Sequence, residues 1–389
     1  MKNNFTFDFF AKSIIYRYYN NVHNKTTSED YYNKANGDNM SFNDVTIVRN
    51  IPPYFDARLK TSFNCFKIYH RDGFLANLKG YPDVEAYMKV QLKPKSRSRM
   101  RGGLRRLETC FPIQYKMYFG EISRADYDFL FKKLREMIER RFFQRGDTHQ
   151  SIEHWDYLRK NVFNMILERK ASLFVIYDSN KPIDICLNYH HQNIFRNYIR
   201  SYDIDYSKFR LGYLDIWKQL EWCFQNNYLI FDLSYGELAY KRTWCNTVYK
   251  FEQHIIYAKS HHYQKVKATI IKILLRLKWY MERKKLLRSY WVLRFNFKFK
   301  KTSKVKINEE LNFLIEDIST IDLNTFFLTE IDINNNKYAF LRKLIYNFQY
   351  TNCERSNMVK IYRLKDHQKT YIISGQTKKQ RLIYNGSTS

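Results

Sequence analysis

Residues Tyr228–Trp244 read Tyr-Leu-Ile-Phe-Asp-Leu-Ser-Tyr-Gly-Glu-Leu-Ala-Tyr-Lys-Arg-Thr-Trp. The apolar, β-prone run up to Asp232 predicts a strand, and Gly236 marks a turn after it. Tyr240, Lys241 and Trp244 then recur at helical spacing. An acid, a glycine, a tyrosine, a lysine and a tryptophan thus fall within thirteen residues of a strand–turn–helix unit. Reactive side chains at the end of a strand and the start of a helix are the expected local arrangement of a ligand site.

Working outward, the neighbouring segments give this unit its place in an α/β order. Phe111–Ile122 alternates in part and predicts a strand. Ser123 then caps a helix whose stripe is Phe129/Leu130, Leu134, Ile138 and Phe142. Trp155–Lys170 predicts a second amphipathic helix. Ser172–Tyr177 and Ile183–His190 predict a hairpin closed at Asp178–Pro182, and Ile194–Tyr202 a third strand. Leu211-Gly212 opens a helix with Leu214, Trp217, Leu220 and Phe224 on its apolar face, stopped by Asn226-Asn227. After the Tyr228–Leu233 strand come a short helix, Glu237–Cys245, and a strand, Lys250–Tyr257. The order β-α-α-β-β-β-α-β-α-β over residues 111–257 predicts a mixed sheet with helices on both faces, of α/β or α+β class.

The flanks are less regular. Residues 1–83 predict an aromatic-rich helix at Phe5–Tyr19, a polar loop over Asn20–Asn43 and a short strand at Val45–Arg49. Together they form an N-terminal region read as a reduced partner lobe. Residues 84–257 form the central domain. It begins with a helix at Val84–Leu92, followed by Lys93, Lys95, Arg97, Arg99, Arg101, Arg105 and Arg106 with no acid among them. Those cations read either as a solvated basic helix and loop or as a contact for phosphates. Residues 258–306 hold a strongly basic helical segment, with Glu282 the one acid among sixteen Lys and Arg from 259 to 306. It is either packed on the body with a solvated basic face or an interfacial helix on anionic lipid. Residues 307–389 predict a small β-rich appendage with strands at Phe313–Ile315, Thr325–Leu328, Val359–Leu364 and Thr370–Ile373.

Composition bounds the partners. A formal net charge of +29 over 389 residues attracts nucleic acid, anionic lipid or phosphate-rich cofactors and substrates. The six cysteines are scattered without a Cys-x-x-Cys pair, as expected of reduced core thiols in a cytosolic protein. No leader is legible in Met1–Phe10, and no apolar run reaches the ~20 residues of a membrane span. The expected location is cytoplasmic, with a peripheral position at the inner membrane as the alternative. Phosphate-loop, zinc-protease and serine-elbow motifs are absent from the sequence. His190 and His191 point to opposite faces of a strand, so no metal site is expected there.

The chain resembles the CelD-like branch of the GNAT acyltransferase superfamily, which also includes the FemAB-like aminoacyl transferases. The carrying residues are Tyr198, Tyr202-Asp203, Leu211-Gly212 and Phe231-Asp232-Leu233 with Gly236-Glu237, Tyr240-Lys241 and Trp244. The Arg97–Glu108 stretch also looks like the family's segment ahead of this domain. The resemblance covers about residues 84–257 and implies direct acyl transfer. A substrate amine or hydroxyl attacks a thioester, a base takes its proton, and hydrogen-bond donors hold the oxyanion. It implies acetyl-CoA or another acyl-CoA as donor, with the pyrophosphate at the helix start Arg210, Leu211, Gly212 and Tyr213. That loop departs from the family pattern, since Lys208–Gly212 is not a glycine-rich cradle. Asp232 or Glu237 is then the base or substrate orienter, Tyr240 the acid for the thiolate, and Lys241 the holder of a phosphate or carboxylate. Tyr198, Tyr202, Asp203 and Trp244 would line the acceptor side.

The expected function is an N- or O-acyltransferase acting on an envelope glycan, sugar or amine acceptor. Two alternatives stay open. One is a FemAB-like transferase using aminoacyl-tRNA. The other is a non-catalytic nucleic-acid- or membrane-binding protein on a decayed acyltransferase fold. For this site, Asp232→Asn and Lys241→Ala are expected to leave the melting temperature nearly unchanged but remove transfer activity.

Overall fold

Among its described residues a computed structural model of the chain holds sixteen strands and nine α-helices. Those residues are 3–33, 44–145, 154–236, 238–284, 313–323, 326–365, 367 and 369–384. In chain order they are α1 (Phe5–Lys12), β1 (Tyr19–Asn24), β2 (Glu29–Tyr32), β3 (Thr46–Ile51), β4 (Phe55–Leu59), β5 (Phe63–Asn77), α2 (Val84–Gln91), α3 (Pro94–Cys110) and β6 (Ile113–Tyr118). Next come α4 (Arg124–Arg145), α5 (Trp155–Leu167), β7 (Ala171–Asp178), β8 (Lys181–His191), β9 (Ile194–Tyr202), α6 (Leu211–Gln225), β10 (Ile230–Tyr235), α7 (Ala239–Trp244), β11 (Thr247–Ala258) and α8 (His262–Arg283). Last are β12 (Phe313–Asp317), β13 (Leu328–Glu330), α9 (Arg342–Asn352), β14 (Lys360–Leu364), β15 (Thr370–Ser374) and β16 (Lys379–Tyr384). The fold is α/β, with a mixed eight-stranded sheet ordered β3-β11-β5-β10-β9-β8-β7-β6. The order expected for residues 111–257 is the order found, element by element.

The chain divides into two units. The first comprises Met1–Asp83, Tyr189–Tyr198 and Cys223–Val305. Its backbone is the long pairing of β5 with β11, from Thr247↔Leu75 to Ala258↔Phe63. Gly73 is needed in that ladder because a Cβ there would lie 2.2 Å from the Tyr249 ring. A separate sheet, β2-β1-β4, is also built from residues 19–59. The expected polar loop over Asn20–Asn43 is therefore a hairpin in its first part: Asn21 pairs with Tyr32 and Asn24 with Glu29. Residues 34–43 lie outside the described set. Helix α8 packs Ala268 and Trp279, with Ile271 and Leu275, onto Ile68, Ile255 and Tyr257.

The second unit comprises Val84–Asn188, Ile199–Trp222 and Lys306–Ser389. Leu173–Ile176 in β7 is a continuous buried run, the signature of a strand covered on both faces. Helix α3 runs unbroken through Gly102-Gly103. Its arginines are partly structural. Arg97 reaches the Leu92 carbonyl at 2.6 Å, Arg101 pairs with Glu85, and Arg106 donates to the carbonyls of Tyr350 and Thr351. The C-terminal segment is a five-stranded antiparallel sheet, β12-β16-β15-β14-β13, plus a helix, α9, that the sequence reading lacked. Tyr346 of α9 lies 4.4 Å from Tyr206 and 5.3 Å from Phe111, ring to ring, and Gln349 accepts from Cys110 Sγ. Helix α9 is thus packed into this unit.

Candidate active site

Strands β9 and β10 run parallel, and their ladder pairs Ile230↔Ile194, Phe231↔Phe195 and Asp232↔Arg196. Phe231 and Phe195 are fully buried and stack at 5.0 Å, so the apolar half of each strand sets the register. The same register places an acid and a base opposite each other at the last paired position. The Arg196 side chain is 4% exposed and the Asp232 side chain 0%. Asp232 Oδ2 accepts from Arg196 Nη1 and from the Tyr54 hydroxyl at 2.7 Å. Its Oδ1 accepts from the Tyr249 hydroxyl at 2.9 Å and from the Ser234 backbone N–H at 2.7 Å. Arg196 Nη2 donates to Ser234 Oγ at 2.7 Å.

Electrostatics fix the protonation of this cluster. Burial alone would pull the Arg196 guanidinium down, but Asp232, helped by Tyr54 and Tyr249, holds it above its ordinary value. Burial and the Asp232 charge push the Tyr54 and Tyr249 phenols well up, so both stay neutral O–H donors. With four donors on its two oxygens, Asp232 has its in-plane acceptor sites committed. A ligand reaching these oxygens would have to displace one of those donors.

The turn after β10 is tied down from the other side. Ser234 adopts a left-handed φ of 62° and Gly236 one of 100°. The Lys241 ammonium folds back and donates to the carbonyls of Leu233 at 2.6 Å and Tyr235 at 2.5 Å. Lys241 and Trp244 are buried, while Tyr240 is half-buried on α7. Glu237 lies outside the described residues. Tyr198, half-buried, stands between the rings of Phe7 and Tyr189 at 6.1 and 5.1 Å. The first unit therefore brings Asp232, Lys241, Trp244 and Tyr198 into one body, with Asp232 and Lys241 holding the β10 end. Arg196, Ser234, Tyr54 and Tyr249 were missed by sequence reasoning. An arginine inside the apolar run Ile194–Ile199 was the available signal, but its partner depends on the parallel register.

The remaining expected residues lie in the second unit. Asp203 accepts from Arg140 at 2.9 Å and Lys181 at 2.8 Å and caps a 3-10 turn through the Asp205 N–H. Burial pushes Asp203 up, but Lys181 and Arg140 outweigh it and hold the carboxyl below its ordinary value. Arg141 stands 4.7 Å over the Tyr202 ring. Arg210, exposed with a φ of 61°, turns the chain into α6. Leu211 is fully buried, and Gly212 and Tyr213 are half-buried. A Cβ on Gly212 would stand 3.4 Å from Arg200 Nη2 and from the Tyr202 ring, so Tyr202 and Gly212 are neighbours. Arg200 donates to the Gly212 carbonyl and to Asp215. Asp215, Asp184 and Cys186 bring three potential metal-ligand atoms within 4.8 Å of one another. Burial, then the Asp215 charge, pushes Asp184 well up, and the guanidinium already sits on Asp215, so a cation there would have to displace Arg200. All six cysteines are free thiols, and no described helix is long and apolar enough to cross a membrane.

Residues 94–242 match the family model described as "Acetyltransferase (GNAT) domain". No curated protein matches the sequence. Among solved structures, the chain is similar to FemX, at 9% identity over 58% of this chain and 74% of that one, with a TM-score of 0.40. It is also similar to L-PGS from Bacillus licheniformis, at 11% identity over 59% and 72%, TM-score 0.36. A third is a conserved protein of unknown function from Bacteroides thetaiotaomicron, at 9% identity over 51% and 64%, TM-score 0.33. The chain spans under two thirds of that last protein's length. The family match supports a transferase carrying a GNAT-type domain.

Proposed function

We propose, from the premise of a GNAT-type domain over residues 94–242, that the chain transfers an acyl group from a thioester to an amine or hydroxyl. The observation that carries this reading is the parallel β9–β10 ladder stopping at the buried Asp232–Arg196 pair, inside the matched range. Beyond that pair the two parallel strands no longer share a ladder, the arrangement beside which ligands bind in open α/β sheets. The donor is acetyl-CoA or another acyl-CoA, and the acceptor a glycan, a sugar or an amine of an envelope precursor. The pyrophosphate sits at the start of α6, on Arg210–Tyr213.

In this reading the residues around β10 divide into two roles. Asp232, Arg196 and Lys241 form the framework that fixes the strand end, because their polar atoms are committed inside the protein. Proton transfer falls to Glu237 as base and Tyr240 as acid for the departing thiolate. Tyr198, Tyr202 and Asp203 bound the acceptor side. A second reading, transfer from aminoacyl-tRNA, draws on the net charge of +29. The test is release of free CoA thiol from acetyl-CoA and longer acyl-CoAs, with amines and amino sugars as acceptors. Acceptor-dependent thiol release, lost in Glu237→Gln at unchanged melting temperature, supports the thioester reading. Release from no thioester, with transfer from a charged tRNA instead, replaces it with the second.

A further inference from the structure

Helix α8 has two apolar faces, and the fold uses one of them. At 100° per residue, Ala268, Ile271, Leu275 and Trp279 share the face packed on Ile68, Ile255 and Tyr257. Val266, Ile270, Ile273, Leu274, Leu277 and Tyr280 share another, roughly 160° away. Each of those six is between 53% and 61% exposed. The stripe is flanked by cations on both sides: Lys265, Lys272, Arg276 and Arg283 along one edge, and Lys267 and Lys278, paired at the surface with Asp44 and Glu282, along the other. Single exposed apolar side chains need no explanation, but six in one continuous stripe do.

We propose that the outer face of α8 docks on an anionic lipid surface. The geometry is that of a helix lying in the interface plane, with aliphatic side chains entering the acyl boundary and lysines and arginines reaching head groups on either side. Charge decides among the occupants. α8 carries six Lys and Arg against one acid, Glu282, so a second copy of the helix would bring like charges together. Residues 284–306 continue with nine Lys and Arg and no acid, so laying that segment over α8 meets the same repulsion. A nucleic acid would satisfy the cations but leave the Val, Ile and Leu side chains without a role, since bases stack on aromatic planes rather than on aliphatic chains. An anionic bilayer satisfies both halves of the pattern. The inference uses only α8 and holds whether or not the chain is a transferase.

The test is co-sedimentation of the full chain with vesicles of phosphatidylcholine alone and of phosphatidylcholine with about 30% phosphatidylglycerol. Binding to the anionic vesicles is expected to exceed that to neutral ones at least ~10-fold and to weaken as salt rises. Leu274→Glu with Leu277→Glu, both exposed and therefore foldable, should abolish it. Lys265→Gln with Arg276→Gln should cost roughly 25-fold, about 5-fold per cation. Melting temperatures of these variants are measured alongside to confirm folding. Folded wild-type protein that ignores anionic vesicles overturns the proposal, as does binding unchanged by the two glutamates. Self-association by sedimentation velocity that those glutamates abolish, without vesicle binding, assigns the stripe to a second copy. RNA binding lost in the same variants, again without vesicle binding, assigns it to RNA.

Discussion

Replacing Asp232 by asparagine tests the framework around β10. The carboxylate is fully buried and accepts from Arg196, Tyr54, Tyr249 and the Ser234 N–H. Asparagine keeps one acceptor oxygen and turns an NH₂ group toward donors, whichever way the amide lies. It also leaves the buried guanidinium without its counter-charge. Removing one partner of a buried ion pair costs about 3–5 kcal/mol. In a folded unit of ~150–250 residues each kcal/mol moves the melting temperature by about 2–4 °C, so a fall of about 6–20 °C is expected. Removing both charges, as in Asp232→Leu with Arg196→Met, relieves the lone guanidinium. The double variant should therefore lose less than the sum of the two single losses, with a coupling of about 2–4 kcal/mol. Thermal melts and urea titrations of the four proteins measure this. A fall under about 2 °C in Asp232→Asn, or strict additivity in the cycle, would refute the reasoning. The sequence alone leads to the opposite expectation, a melting temperature nearly unchanged in Asp232→Asn.

Three further outcomes follow from the same geometry. Lys241→Met should destabilise by about 2–4 kcal/mol, since it leaves the carbonyls of Leu233 and Tyr235 without their charged donor; melting curves check this. Gly73→Ala should cost about 1–3 kcal/mol by driving a methyl group into the Tyr249 ring, read from the same melting curves. Stability should fall on acidification below about pH 6. Burial holds His190 down to about 3 and His191 to about 4, so both are neutral in the folded chain while the unfolded chain takes up protons near its ordinary value of about 6.5. Between those values the unfolded state binds more protons, and each histidine contributes about 1.4 kcal/mol of loss per pH unit. His190→Phe should flatten part of that slope in urea melts run between pH 4 and 7.

The central segment was legible because its elements obey their own periods. The stripe Leu130, Leu134, Ile138 on α4 and the apolar run Leu173–Ile176 on β7 announce helix and buried strand without tertiary help. The N-terminal strands were not legible for the opposite reason. β1 is Tyr-Asn-Asn-Val-His-Asn and β5 passes through His70-Arg71-Asp72, polar stretches made into strands by the neighbours they pair with. Helix α9 hides its contact face in Ile345, Tyr346 and Gln349, a pattern too mixed to stand out from a β-rich surrounding. At the site, sequence located Asp232 and Lys241 but not their state. Burial and partners depend on Arg196, Tyr54 and Tyr249, which come from three distant segments.

Isothermal titration of the full chain with acetyl-CoA and with a longer acyl-CoA tests the proposed transfer most directly. Saturable binding of one equivalent is expected, with at least a ~10-fold loss in Arg210→Glu, which places a like charge at the proposed pyrophosphate site. Absence of binding to every CoA thioester, by protein whose melting curve is intact, would contradict it.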